Sequence, residues 1–341
     1  MRALHLTDTG NSVLAYSTTT PMPSLSPTHY VVRVCCTAIT TSELTWPMVT
    51  SRTNAIPGHD LSGIVVSTPT NPPEPPVEPS LRGRNDGDAA KTHYAPNDDM
   101  SDHVKTHQFY PGDEVYALTA FDRDGSAAEY VHVHPKELAA KPRHMSHEEA
   151  ACIPLSYLTA AQAILQDIRS QGEKDGVLVL GATGGVGVMA VQLVRWKGVT
   201  VVATCGARNM EFAKSLGATE VLDYSQGFRV LEGRKFGLVI DTVGGEWQDK
   251  AWEWIAEGGS LVSVHSPLDE DRQQEYKGRV NGVYFIVEPN GRQLSGATEI
   301  ADKGGIRAVV DRVFELEDGA KAFEKLSEGH VKGKIVLRVM E

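Results

Sequence analysis

The stretch VLVLGATGGVG, residues 177–187, joins a short apolar run to a glycine-rich turn, and an apolar-striped segment follows at once. A strand, a tight glycine turn and a helix in this order form the dinucleotide-binding fingerprint, here with Ala182 in the first glycine slot. Small residues let the backbone approach a pyrophosphate, whose charge the N–H groups at the helix start would bind. The stretch therefore predicts a phosphate cradle built from Gly181, Ala182, Thr183, Gly184, Gly185, Val186 and Gly187.

The end of the next strand bears on which dinucleotide is bound. Sites for NAD place an acidic residue there to bind the ribose hydroxyl. In VVATCGARN, residues 201–209, Gly206 takes that position and Arg208 follows two residues later. Because a guanidinium binds phosphate in a bidentate manner, this pattern favours the 2′-phosphate of NADPH. Thr204 on the same strand and Tyr224 at the end of EVLDY are further candidates for this subsite.

Strand and helix patterns alternate on both sides of the fingerprint. Ser146 and Glu149 form a capping-box pattern that predicts the start of a helix. Beyond the fingerprint, short apolar runs alternate with helical stretches, which predicts a doubly wound parallel sheet in an α/β fold; the runs are VTVVATC, TEVLDY, FGLVIDTVG and GSLVSVH. The first third of the chain is β-rich, apart from residues 68–108, whose Pro, Asp and Asn content predicts a mobile insertion.

Composition limits the possible partners and compartments. A formal net charge of −11 argues against an extended nucleic-acid or anionic-membrane surface. The opening residues lack the pattern of a secretory signal, and no apolar run is long enough to span a membrane. The four cysteines show no CxxC spacing, which is typical of reduced thiols. These features predict a cytoplasmic protein that acts on a small molecule and binds neither nucleic acid nor membrane.

Motifs spread over nearly the whole chain resemble the medium-chain dehydrogenase/reductase superfamily, and most closely its zinc-independent quinone oxidoreductase and enoyl reductase branch. These motifs are PGHDLSGIV, PGDEVYAL, GSAAEYV, LTAAQAI, VLVLGATGGVGVMAVQLV, SLGATEVLDY, VIDTVGG and HVKGKIVLRV. The resemblance implies a GroES-like catalytic domain, residues 1–145 and 284–341, with a Rossmann domain, residues 146–283, inserted into it. It also implies a homodimer that pairs through the last Rossmann strand, expected at YFIV, residues 284–287.

The resemblance further permits a test for zinc. In zinc-dependent members a cysteine, a histidine and a second cysteine or acid surround the metal; here these slots fall on Thr40, His59 and Leu155. A catalytic zinc needs three protein ligands, and His59 with the neighbouring Asp60 does not supply them. The sequence therefore predicts that no metal is bound and that His59 is a structural histidine.

Several other site residues follow from the resemblance. Thr41 and Ser42 stand where zinc enzymes hold their proton-relay hydroxyl, and Tyr157 is a second possible donor. Trp46 and His59 are expected to line the substrate pocket. The remaining cofactor contacts would be Thr159, Val264, His265, Phe285, Val287 and Lys334, with Lys332 as an alternative to the last.

These inferences predict an NADPH-dependent, zinc-free oxidoreductase that delivers hydride to an activated C=C bond or to a quinone. Such an acceptor takes up charge in its conjugated carbonyl, so the reaction needs orientation and hydrogen bonds rather than a Lewis acid. Two alternatives stay open. The fold could perform non-redox chemistry on a small molecule, or it could be a binding protein that holds NADP(H) without catalysis.

Overall fold

The computed structural model describes residues 1–7, 13–70, 108–165 and 176–340. Most of the predicted mobile insertion, residues 71–107, lies outside the described residues, and so do its histidines. The described chain contains two large sheets, one mostly antiparallel and one parallel, together with the helices that pack on them.

The mostly antiparallel sheet is formed from both ends of the chain. Its strands run in the order β14-β15-β3-β4-β5-β7, with β6 paired to β3, while β1 and β2 form a separate antiparallel pair. The strands are β1 Ala3–Thr7, β2 Val13–Ser17, β3 Tyr30–Ile39, β4 Asp60–Ser67, β5 Glu114–Leu118, β6 Tyr130–Val133, β7 Leu138–Ala140, β14 Val310–Glu315 and β15 Lys334–Arg338. Because β15 pairs with β3, the C-terminal tail completes a sheet that the first third of the chain begins.

The second sheet is wholly parallel, with the strand order β10-β9-β8-β11-β12-β13. Its strands are β8 Val177–Leu180, β9 Val201–Cys205, β10 Glu220–Asp223, β11 Phe236–Asp241, β12 Ile255–Ser263 and β13 Asn281–Tyr284. The order reverses direction between β8 and β11, and in open parallel sheets ligands bind outside the carboxyl ends of the strands at such a point. The predicted doubly wound sheet is therefore present, and its fingerprint turn follows β8.

The helices cover the parallel sheet and join it to the other one. They are α1 Pro47–Thr50, α2 His147–Ala151, α3 Pro154–Leu165, α4 Gly185–Trp196, α5 Met210–Ser215, α6 Gly245–Ala251, α7 Glu270–Glu275, α8 Gly291–Asp302 and α9 Gly319–Ser327. Helix α3 packs against α4 and α8. One apolar core runs from the antiparallel sheet through these helices into the parallel sheet, and the Tyr116 hydroxyl donates to the Leu294 carbonyl at 2.8 Å across it.

One sequence expectation is confirmed and another needs correction. The capping box at Ser146 and Glu149 is present, but the helix that it begins ends at Ala151, and α3 begins at Pro154, because proline fits the first turn of a helix and not its interior. The last parallel strand ends at Tyr284, so the expectation of a strand over 284–287 is wrong. Its partner β12 ends at Ser263, opposite Tyr284, and later residues have no ladder to join.

Candidate functional site

The glycine turn after β8 is shaped by steric limits on its backbone. Gly181 has a φ of 77°, a conformation that favours glycine. A Cβ on Gly187 would lie 2.2 Å from the Gly181 carbonyl oxygen, so only glycine fits where α4 crosses the turn. A Cβ on Gly184 would meet one described atom within 4 Å, the Gly181 oxygen at 3.7 Å. The turn is thus closed on the sheet side and open at Gly184.

The open side of this turn fits a dinucleotide phosphate. Gly184 is the N-cap of α4, and no side chain accepts a hydrogen bond from the first N–H groups of the helix. The buried Ser156 hydroxyl makes no hydrogen bond with a described residue, and its oxygen lies 2.9 Å from the Cβ position of Gly185. Unpartnered donors at a helix N-terminus form an anion site. The residues present therefore suit the group that the fingerprint implies.

The ends of β9 and β10 form the neighbouring subsite. The Tyr224 hydroxyl lies 3.3 Å from the position that a Cβ on Gly206 would take, so Tyr224 occupies the space of an acidic side chain. Arg208 is exposed and forms no salt bridge with the described part of the chain. Thr204 is buried, and its hydroxyl accepts from the Gly181 N–H at 3.2 Å, so it supports the glycine turn from below.

The C-terminal tail meets the glycine turn directly. Gly333 forms an isolated parallel bridge with Gly184, and its N–H donates to the Thr183 carbonyl at 2.9 Å. The side chain of the next residue, Lys334, passes Gly185 and ends at the antiparallel sheet, where its ammonium donates to the Thr40 hydroxyl at 2.6 Å and pairs with Asp60 at 3.0 Å. The cradle and the predicted zinc slots are therefore parts of one site.

Strand pairing explains why these side chains converge. Ile335 on β15 lies opposite Ile39 on β3, which places Lys334 opposite Thr40 at the ends of the two strands. Asp60 begins β4, the neighbour of β3 on its other side. The second carboxylate oxygen of Asp60 accepts from the Leu155 N–H at 2.6 Å, at the first turn of α3. Three elements and the tail thus meet at Asp60.

His59 points into an aromatic group rather than toward Lys334. Its Nδ1 is hydrogen-bonded to the Thr119 hydroxyl at 3.0 Å, while Nε2 is buried without a partner among the described residues. Its ring packs edge-on against Phe121 at 5.0 Å between centroids, and Phe121 packs in the same way against Trp46 at 5.1 Å. Burial, with smaller effects from nearby arginines, lowers the pKa of His59 to about 3. The structure therefore brings the two predicted pocket residues, Trp46 and His59, onto one aromatic ring.

Glu43 fastens the loop that carries Thr40. Its carboxylate is buried and accepts from the Gly58 N–H at 2.5 Å and from the Thr40 N–H at 3.1 Å. Burial raises the pKa of Glu43 to about 7, against the effect of these two N–H groups. Both oxygens are occupied by backbone donors, so Glu43 is a positioning residue for the loop.

The donors present do not fit a catalytic zinc. The three slots hold a hydroxyl, a neutral imidazole and an apolar side chain, on Thr40, His59 and Leu155. The nearby carboxylates of Asp60 and Glu43 are taken by an ammonium and by backbone N–H groups. Within residues 1–7, 13–70, 108–165 and 176–340, no group of His, Cys, Asp or Glu is arranged to hold a metal ion. A tetrahedral site with three protein ligands cannot be assembled here.

The predicted catalytic hydroxyls lie in different surroundings. Thr41 and Ser42 are exposed at the rim of the site, and Ser42 has a φ of 64°. Tyr157 is only 1% exposed, in the core, and the Cβ position of Gly296 on α8 lies 3.5 Å from its hydroxyl, so the structure does not bring it to the site.

Sequence reasoning treated Thr40 only as a lost metal ligand. Its contact with Lys334, 294 residues away, was the missing information.

The other predicted cofactor contacts lie in three places. Val264 and His265 follow β12, and a Cβ on Gly244 would lie 2.3 Å from His265 Nδ1, so they face the loop after β11 at the carboxyl edge of the sheet. Thr159 donates within α3 to the Leu155 carbonyl at 2.6 Å. Phe285 and Val287 pack on the main apolar core after β13.

Known proteins share this architecture. Residues 216–337 match the family model of the zinc-binding dehydrogenase domain. A probable mitochondrial zinc-binding oxidoreductase of Arthroderma benhamiae is 32% identical, over 94% of this chain and 91% of its own length. The chain belongs to the medium-chain dehydrogenase/reductase superfamily. The quinone oxidoreductase structure from Coxiella burnetii aligns with a TM-score of 0.80 and 25% identity over 99% of both chains, which agrees with the quinone oxidoreductase branch of the superfamily and its GroES-like plus Rossmann fold.

Two points in these comparisons differ from the sequence expectations. The family model and the fungal relative carry zinc in their names, whereas the donors of this chain do not fit that metal. A second relative, the NAD(P)H oxidoreductase RTN4IP1 of Danio rerio, is 33% identical over 68% of this chain and 67% of its own length, and it is also named as mitochondrial. The cytoplasmic location is therefore corrected, because a missing secretory pattern says nothing about other organelles. In the described helices, none is long and apolar enough to cross a membrane.

Proposed function

We propose that this superfamily member is an NADPH-dependent oxidoreductase that reduces a quinone, or a C=C bond conjugated to a carbonyl, without a metal. The coarser statement, an oxidoreductase that uses a nicotinamide cofactor, agrees with its relatives. The observation that carries the proposal is the junction of Gly184 with Gly333 and Lys334. This junction joins the phosphate cradle to the side chains of Thr40 and Asp60, where the zinc slots of related enzymes hold no ligand set.

The preference for NADPH rests on the ends of β9 and β10. An acidic residue that would bind the ribose hydroxyl of NADH is absent, and Gly206 with Tyr224 fills its place. Arg208 is exposed next to this position and has no competing salt bridge with a described residue, so its guanidinium is available to a 2′-phosphate.

The chain's own residues would supply binding, orientation and water exclusion. The reduced nicotinamide supplies a hydride when the cofactor is bound. The N–H groups of the turn 181–187 would hold the pyrophosphate, and His265 and Val264 would border the nicotinamide end. Trp46, Phe121 and His59, whose rings pack edge to face, would form an aromatic wall for a flat, conjugated substrate and would exclude water. Ser42 and Thr41 lie at the rim, within the loop that enters this pocket.

Calorimetric titration of the purified protein with NADPH and with NADH tests the cofactor assignment. We expect tighter binding of NADPH, and a loss of about tenfold or more for NADPH alone in Arg208→Ala, because one charge-assisted contact to phosphate is removed. Arg229→Ala, on an exposed arginine of the same domain, is the matched control. Equal affinities for both cofactors would contradict the assignment.

Spectrophotometric assay of NADPH oxidation with simple quinones and enones then tests the reaction. Oxidation that depends on the acceptor is the expected result. Conversion of a small molecule without NADPH consumption would favour the non-redox alternative, and NADPH binding without any turnover would favour the binding protein.

We also propose that two chains pair through β13. This strand lies at the edge of the parallel sheet and pairs in the described chain with β12 alone, and an edge strand is a template for a second chain. Sedimentation velocity at micromolar concentration is expected to give the mass of a dimer, and a monomer would contradict the proposal.

A further inference from the structure

A buried lysine lies beside the slot that a metal-binding cysteine takes in zinc-dependent members. Lys334 is 6% exposed, and its ammonium donates to the Thr40 hydroxyl at 2.6 Å and pairs with Asp60 at 3.0 Å. Burying an ammonium is unfavourable unless it is paired and hydrogen-bonded. Asp60 itself is held by the Leu155 N–H. The ammonium therefore makes two contacts, with the Thr40 hydroxyl after β3 and with the Asp60 carboxylate at the start of β4, and α3 in turn holds Asp60.

The Thr40 hydroxyl has an unused proton. Its oxygen accepts from Lys334, and among the described residues no acceptor receives its O–H. Thr40 is partly exposed at the surface of the site, while Lys334 and Asp60 beneath it are buried. A hydroxyl that accepts from a cation is polarised and becomes a stronger donor. Thr41 and Ser42, the neighbouring hydroxyls, are exposed and have no such cationic partner among the described residues.

We propose that Thr40 donates a hydrogen bond to the substrate oxygen on which negative charge develops, and that Lys334 positions and polarises this hydroxyl. The inference rests on the proposed function and specifies its substrate class, a conjugated carbonyl compound with one oxygen directed at Thr40. In the step, the hydride that NADPH supplies, leaving NADP⁺, adds to a carbon conjugated with the carbonyl, and the π electrons move to the carbonyl oxygen, which accepts a hydrogen bond from Thr40 while Thr40 keeps its proton. Water then protonates the resulting enolate at carbon and hydroxide is released; for a quinone, the product tautomerises to the hydroquinone.

The pair Thr40 and Lys334 thus performs part of the task of the metal in zinc-dependent members. A preorganised donor aimed at a developing oxyanion lowers the barrier because it requires no reorganisation during the reaction. Asp60 balances the charge of Lys334 in the resting site, so the ammonium acts through the hydroxyl and is a positioning group.

Thr40→Val and Thr40→Ser provide the first test. We expect Thr40→Val to lower kcat for quinone or enone reduction by about 10²-fold, the usual effect of removing one oxyanion donor, with the Kd for NADPH unchanged. Thr40→Ser, which keeps the hydroxyl, should restore most of the rate. Thr200→Val, on an exposed threonine immediately before β9, is the matched control.

A double-mutant cycle tests the role of Lys334. Lys334→Met should lower kcat about as much as Thr40→Val, and the double variant should be no slower than either one, because both remove the same hydrogen bond. Since Lys334→Met leaves Asp60 buried and unpaired, the cycle is repeated in an Asp60→Asn background if the single variant does not fold. Lys321→Met removes an exposed lysine of α9 as a control. Additive losses would overturn the role of Lys334.

A binding measurement separates this inference from the proposed reaction. 4-Nitrophenolate, bound in the presence of NADP⁺, should absorb at a shorter wavelength in the wild type than in Thr40→Val, because a hydrogen bond to its oxygen stabilises the ground-state charge. Identical spectra, or unchanged kcat in Thr40→Val while the wild type turns over, would overturn the inference and leave the proposed function intact. If the wild type fails to oxidise NADPH with every quinone and enone tested, both the proposed function and this inference are overturned.

Discussion

His59 carries an imidazole from a motif that binds zinc in related enzymes, but its environment is that of a buried, uncharged side chain. One nitrogen is bonded to Thr119, the other has no described partner, and Phe121 packs against the ring. Half of the hydrogen-bonding capacity of this ring is unused among the described residues, and the structural role inferred from the sequence stays a prediction. A buried imidazole without a second acceptor resists protonation.

Replacement of His59 with glutamine should therefore reduce the dependence of stability on pH. The folded-state pKa of about 3 lies below the ordinary 6.5, so the unfolded chain binds the extra proton first and stability falls as pH decreases through this window. Between about pH 7 and about pH 5 the contribution of His59 to the free energy of unfolding should fall by roughly 2 kcal/mol. Urea unfolding at both pH values, compared between the wild type and His59→Gln, measures this difference.

The comparison needs a control because Glu43 acts in the opposite direction. Its pKa is raised to about 7, so its contribution is present at low pH and lost as pH rises toward 7 and above. Glu43 is present in both proteins, so its contribution cancels when the free energy of unfolding of His59→Gln is subtracted from that of the wild type. His144→Gln, on an exposed histidine, should leave the pH dependence of the free energy of unfolding unchanged. If His59→Gln shows the same pH dependence as the wild type, the assigned pKa of His59 is contradicted.

At the scale of elements, two glycines of the turn between β8 and α4 have different expected roles, one in folding and one in binding. Gly187 is in close contact with the turn itself, whereas Gly184 faces open space. The sequence pattern treats both as parts of one fingerprint. Their different roles depend on how the helix crosses the strand, which is a matter of packing.

Alanine substitutions should show this difference. Gly187→Ala forces a Cβ to 2.2 Å from a carbonyl oxygen and should lower the free energy of unfolding by about 1–3 kcal/mol, the usual cost of overpacking. Gly184→Ala, with a φ of −77°, should fold normally and weaken NADPH binding about tenfold or more, because its methyl group lies where a phosphate would approach. Thermal unfolding and calorimetric titration measure the two effects. Normal NADPH binding by Gly184→Ala would contradict the location of the cradle.

The strands and helices of the parallel sheet could be predicted because their patterns are local. The capping box at Ser146 and the apolar runs that became β9 to β12 contain their own signals of period and capping. Pro154 also contained the signal for the break between α2 and α3, but the prediction did not use it. The end of β13 could not be found in this way, since it is set by the end of its partner β12.

At the scale of the whole molecule, the absence of a zinc ligand set follows from three segments that meet in space. Thr40, His59 and Leu155 belong to the end of β3, the residue before β4 and the first turn of α3. The position of each was inferred from family motifs, and the structure shows that Asp60 and Lys334 connect Thr40 with Leu155, while the His59 side chain contacts Thr119 and Phe121 instead. With an ammonium in this group, a divalent cation would meet repulsion as well as too few ligands.

Metal analysis of the protein should therefore find far less than one zinc per chain. Treatment with 1,10-phenanthroline should change neither the melting temperature nor NADPH oxidation, because the described residues offer no ligand set for a metal. Mass spectrometry of metal content and a melting curve before and after chelation provide the measurement. Stoichiometric zinc that is lost in His59→Gln would contradict the donor assignment.

The sequence by itself determined the class of fold, because the strand and helix patterns are local. It also predicted the phosphate cradle and the missing acidic residue at Gly206 from residue types within short spans, and the lack of a zinc ligand set from family motifs. Only the tertiary structure decided which hydroxyl enters the site, because Thr40 and Lys334 are brought together by the pairing of β3 with β15 across 294 residues. It also turned Tyr157 into the core beside α8 and His59 toward Phe121. The direction in which a side chain points is set by the packing of distant elements, which no local pattern contains.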